Sequence, residues 1–75
     1  DWRAMLDLAQ DWTRQTPADP QAWMALGRAR LGLGQREAAA RDFQRVLALA
    51  PEHAEARWEM QLLEFDQEQD LTGVR

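Results

Sequence analysis

The segment from Trp23 to Pro51, WMALGRARLGLGQREAAARDFQRVLALAP, constrains this chain more than any other part of it. Trp23, Leu26, Gly27 and Leu31 recur at three- and four-residue steps, which gathers them on one stripe of a helix. Ala39, Phe43, Val46, Leu47 and Ala50 do the same for a second helix, and Gly34-Gln35 joins the two. Two helices joined by so short a turn fold back on each other and bury their stripes together. Gly27 and Ala39 carry little or no side chain, so the axes approach closely there, with Trp23 and Phe43 filling the space on either side. A large residue at Gly27 is expected to overpack this contact. Gly34 suits the end of the first helix because it tolerates a positive φ, and Pro51 ends the second because it lacks a backbone donor.

The flanking segments carry related patterns. Residues 2 to about 15 place Trp2, Met5, Leu6, Ala9 and Trp12 on one helical face, and Thr16-Pro17 stops that helix. Asp19 is an N-cap with Pro20 at the first helical position. The central helices are expected from about Pro20 to Leu33 and from about Arg36 to Ala50. A fourth begins near Glu52 or His53 and carries Ala56, Trp58, Met60, Leu62, Leu63 and Phe65.

The spacings W-x2-L-G at Trp23 to Gly27, A-x3-F at Ala39 to Phe43, and the closing Pro51 resemble the tetratricopeptide repeat. That is a helix-turn-helix unit of about 34 residues that stacks on copies of itself, and Pro17 precedes Pro51 by one such period. The resemblance implies an all-α fold of antiparallel helix-turn-helix repeats, an α-solenoid of about four helices. Residues 1–19 read as the second-helix half of a preceding repeat, 20–53 as one complete repeat, 54–70 as a capping helix and 71–75 as a tail. Arg30 departs from the family pattern, which has a large aromatic there, so looser or rearranged packing is expected around it.

In this family, function comes from the concave face lined by first helices. Carried onto this chain, the face is Gln21, Met24, Arg28 and Leu31, with Glu55, Trp58, Leu62 and Phe65 from the fourth helix. Its apolar character suits a partner helix or peptide with two or three apolar anchors, polarity being fixed by Arg28. The alternative is that these side chains are core, or that a tail of the same chain fills the groove. Chaperone-binding members clamp a peptide carboxylate with Lys and Asn on this face. Here there is no lysine, and Met24 and Arg28 stand at the first such positions, so a clamp of that kind is not expected. On the fourth helix, the places facing an absent second helix hold Arg57, Gln61 and Glu64, as a polar terminal cap requires. On the first helix Trp2, Met5, Ala9 and Trp12 are apolar. That face is expected to be covered by chain not included in these residues or by a second copy, giving a homodimer and an oligomerisation or spacer role as the second functional reading.

The remaining composition narrows the function class. There is no cysteine, which excludes a thiolate metal site, a cysteine nucleophile and a disulfide framework, without deciding the compartment. The net charge is −4 and all nine basic residues are arginine, which argues against a nucleic-acid binder. Arg28, Arg30, Arg36, Arg41 and Arg45 crowd the central segment, while Glu52, Glu55, Glu59, Glu64, Asp66, Glu68 and Asp70 gather C-terminally. These read as solvated helix faces, or as an arginine side that steers an acidic partner. No apolar run is long enough for a membrane span, and an alanine-rich, lysine-free composition suggests a bacterial source. His53 is the single histidine and reads as a residue at the start of the fourth helix, with nothing to complete a metal site or triad. Glu55 with Glu59, and Glu64 with Glu68, share helix faces at a spacing that acid-base pairs use, but no enclosed pocket is expected around them. Neither an enzyme nor a cofactor is expected. A protein or peptide partner is.

Overall fold

Short-range hydrogen bonds mark most of the helix ends. The computed structural model describes the backbone of residues 1–73 and the side chains through Phe65. Its elements are α1 (Trp2–Gln15), α2 (Pro20–Gly32), α3 (Arg36–Leu49) and α4 (Ala54–Gly73). The carboxylate of Asp1 accepts from the Arg3 N–H at 3.1 Å and that of Asp19 from the Gln21 N–H at 3.0 Å, satisfying amides that a helix start leaves without partners. His53 does the same for α4, its Nδ1 accepting from the Ala56 N–H at 3.2 Å. At the end of α2, Gly34 takes φ +82°, and the Gly34 and Gln35 N–H groups donate to the carbonyls of Leu31 and Arg30. This is the paired closure of a Schellman motif, for which glycine is the natural residue.

The two turns that precede α2 and α4 are built alike. Thr16 N–H donates to Trp12 O at 2.8 Å and Asp19 N–H to Thr16 O at 3.0 Å; one period later Ala50 N–H donates to Val46 O at 2.7 Å and His53 N–H to Ala50 O at 3.0 Å. α1 and α3 likewise begin and end at places one period apart. α4 runs on past residue 70 to Gly73, because no proline or glycine interrupts it earlier; residues 74 and 75 lie outside the described residues.

α1 packs on α2, α2 on α3 and α3 on α4, giving a single row of antiparallel helices. The core at its centre comprises Met24, Ala39, Phe43, Val46, Ala56 and Leu63, with Trp23, Leu31, Ala40, Leu47 and Met60 packed against it. Phe43 does not stand beside the Gly27 contact, as the sequence reading has it, but directly on it. A Cβ built at Gly27 would lie 2.5 Å from the Phe43 ring, which is itself wholly buried. Gly32 is used in the same way by Trp2, whose indole lies where a Cβ would go and so ties the start of α1 to the end of α2. Trp23 sits at the edge of the core, its indole N–H donating to Pro17 O at 2.8 Å and its ring carrying the Arg45 guanidinium 5.3 Å from its centroid.

Candidate protein-binding groove

Arg28 marks the centre of the candidate site, because two helices reach it. It lies on α2 and pairs with Glu55 of α4, and its Nε lies 3.9 Å from the Glu59 carboxylate, one turn further along. Glu59 keeps only 19 % side-chain exposure. The sequence reading has Arg28 available to a partner's carboxylate or carbonyl, and it notes Glu55 and Glu59 only as carboxylates sharing a helix face, with no enclosed pocket expected around them. The structure turns all three to one another, so that the guanidinium neutralises one of two carboxylate charges and leaves this rim net negative.

Two hollows share Arg28 in their linings. The first, of about 430 Å³, is lined by Trp2, Arg28, Leu31, Gly32 and Glu59. The second, of about 190 Å³, is lined by Met5, Trp12, Gln21, Met24, Ala25, Arg28 and Glu55. Together they form a groove with α2 as floor, apolar α1 residues as one wall and acidic α4 residues as the other. Trp2 and Trp12, which line it, remain 48 % and 41 % exposed.

The sequence-derived site residues divide between this groove and other places. Gln21, Arg28, Leu31 and Glu55 line it. Met24 does too, but only at its base: at 3 % exposure it belongs to the core and offers no surface, since α3 and α4 close over it. Trp58, Leu62 and Phe65 are exposed, and Trp58 borders a separate hollow between α3 and α4 with Leu47, Ala54, Arg57, Met60 and Gln61. Of the expected self-association face, Ala9 is 2 % exposed because α1 lies against α2, and Met5 is half-buried. Trp2 and Trp12 remain open on the groove side. Sequence reasoning places these α1 residues on a separate face; their role as a wall of the α2 groove depends on the rotation of α1. It also misses Leu8, 72 % exposed on α1.

Arg30 fills the place of an aromatic by reaching into α3. Its Nη1 lies 3.2 Å from both carboxylate oxygens of Asp42, which is 3 % exposed. Burial drives the Asp42 carboxyl up from 3.8 to about 6, and the neighbouring Arg30 and Arg41 charges limit the rise. Arg28 and Arg30 thus hold carboxylates of their own chain, and Arg45 lies over the Trp23 ring. Among the described residues no cluster of three or more His, Cys, Asp or Glu side chains is placed to hold a metal, and no helix is long and apolar enough to cross a membrane. Asp66, Glu68 and Asp70, and with Glu68 the Glu64 pairing, lie outside the described side chains.

Residues 20–53, from the first residue of α2 through the turn after α3, match the sequence model of the tetratricopeptide repeat. Neither the curated proteins nor the solved structures contain a match to this chain. The matched segment holds the Gly27–Phe43 contact, the Schellman turn at Gly34 and the closing Pro51, and repeats of this kind generally serve protein-protein interaction or scaffolding. Residues 20–53 are thus similar in sequence and in build to a tetratricopeptide repeat.

Proposed function

We propose that this chain is a non-catalytic interaction module that seats an amphipathic helix in the groove over α2. The observation that carries the reading is the groove's makeup: Trp2, Met5 and Trp12 on one wall, and Glu55 and Glu59 tied to Arg28 on the other. Half-exposed aromatic rings supply contact area at low cost in side-chain entropy. The Arg28 ion pairs fix the rim's charge before a partner arrives. In this reading α1 is the second helix of a preceding repeat and α4 the first helix of a following one. The equal turns before α2 and α4, and the one-period match of α1 to α3, support it. A carboxylate clamp has no basis here, since Met24 is buried and Arg28 is held by Glu55 and Glu59.

The test is selection from a displayed library of amphipathic helical peptides, followed by NMR of the indole N–H signals. Binders are expected to move the Trp2 and Trp12 signals and to leave that of Trp23, which donates to Pro17, largely in place. Trp12→Ala should weaken them by roughly tenfold or more while leaving helicity unchanged, because the ring is 41 % exposed. Binders that perturb Trp58 alone, with no response to Trp12→Ala, would place the site elsewhere.

A further inference from the structure

Glu59 is the group in the groove with the most bonding capacity left over. Its side chain keeps little exposure, yet among the described residues it accepts no hydrogen bond, and its one ion contact there is the 3.9 Å approach of Arg28 Nε. A carboxylate withdrawn from water is stabilised by N–H donors, and a cation supplies them best. Arg28 is already committed to Glu55 by a hydrogen bond. The groove lining therefore holds two carboxylates against one guanidinium, and the surplus negative charge lies at Glu59.

Beside Glu59 the larger hollow opens over Trp2, Leu31 and Gly32. The Trp2 indole rests against Gly32 and stays half-exposed. A half-exposed indole next to a carboxylate suits arginine on both counts. The aliphatic stem covers apolar surface, the guanidinium plane stacks on a ring face, and its fork donates two N–H groups to a carboxylate. The chain makes the stacking contact once by itself, where the Arg45 guanidinium lies over the Trp23 ring. Resting on the groove reading above, we infer that the helix seated in the groove carries one arginine into this hollow, its guanidinium on Glu59 and its stem across Trp2.

This placement orients the partner. The smaller hollow, with Met5, Trp12 and Ala25, takes an apolar anchor, and Glu55 at its edge is already served by Arg28. Trp2 and Trp12 mark the two hollows and lie about 15 Å apart along α1, so the arginine and that anchor stand about ten residues apart on the partner helix. The basic flank faces α4 and the apolar stripe faces α1 and α2. An acidic residue in the arginine's place would meet Glu59 as a like charge, and the chain's net charge of −4 favours approach of a basic partner over an acidic one.

Selection from a library of helical peptides with a fixed leucine stripe, and flanking positions drawn from Arg, Lys, Gln and Glu, tests this. The expected result is enrichment of arginine on one flank, in peptides that move the Trp2 indole N–H signal. Replacing that arginine by glutamine should weaken binding at least roughly tenfold, and replacing it by lysine should weaken it less. Glu59→Gln should weaken the arginine peptide by a similar factor and leave its glutamine counterpart unchanged, so the two losses do not add. Circular dichroism of Glu59→Gln separates lost binding from lost folding. If that variant unfolds, the comparison of the four flanks against the wild type carries the test. Enrichment of lysine, neutral or acidic flanks, or an arginine peptide indifferent to Glu59→Gln in the folded variant, would overturn the inference. If selected helices move the Trp12 signal and respond to Trp12→Ala with no preference for arginine, the groove stands and only its partner's chemistry is wrong. If no peptide moves the Trp2 or Trp12 signal, both readings fall.

Discussion

Single residues set the spacing of the helices through what they lack. Gly27 lets α2 approach α3 until the Phe43 ring occupies the place of a side chain, and Phe43 is wholly buried in a close-packed core. Gly27→Leu is therefore expected to destabilise the fold by about 2–3 kcal/mol, measured by urea denaturation. The double variant Gly27→Ala with Phe43→Leu should lose less than Gly27→Leu, since shortening the ring side returns space. Asp42 gives a prediction in pH. Its carboxyl is raised by burial from 3.8 to about 6, so the folded state holds the proton more tightly than the unfolded chain. Stability from this group is full below about pH 4 and falls as pH rises through about 6, by on the order of 2–3 kcal/mol. Arg30 and Arg41 face the same carboxyl and remain charged throughout this range. Asp42→Asn should remove that part of the pH dependence, and denaturation of both proteins at pH 4.5 and 7 checks it. A wild type whose stability relative to the variant rises with pH would contradict the assignment.

At the scale of elements, ends matter as much as faces. The Gly34 turn closes α2 with φ +82°, a conformation that costs an alanine roughly 1 kcal/mol. Gly34→Ala should lower stability in urea by about that amount even though a Cβ there meets nothing. His53 caps α4 through Nδ1, and His53→Asp is expected to retain the cap while His53→Ala loses about 1 kcal/mol. Fraying of the first turn of α4, read by amide exchange at Ala56, distinguishes the two. Most of these devices are legible in the chain itself. Asp19, Pro20, Gly34 and Pro51 act on amides and carbonyls within a few residues, so their types announce their roles. α1 falls at residues 2–15 as its apolar periodicity requires, and α2 and α3 each end within a residue of where the pattern places them.

The whole molecule is a row in which each helix is covered by its sequence neighbours, and it has two unlike sides. Trp2 and Trp12 look out from one, and Trp58, Leu62 and Phe65 from the other. Stability in such arrays accumulates through nearest-neighbour interfaces, and among the described residues α2 and α3, each flanked by two helices, hold most of the core.

The helices, their caps and turns, the period that relates them and the stripe around Phe43 can all be read from residue types and their spacing. They follow from interactions between residues near one another in the chain, or from steric limits of a residue's own backbone. Which apolar positions have neighbours is a matter of packing. Met24 and Trp58 occupy equivalent places one period apart, yet one is 3 % and the other 60 % exposed, because packed helices close over the first and, among the described residues, no helix lies across the second. Packing likewise gives Arg28 its Glu55 and Glu59 partners and Arg30 its Asp42. Such pairings depend on the rotation and separation of whole helices, which no residue type encodes locally, and burial is a property of what lies opposite rather than of the side chain that is buried.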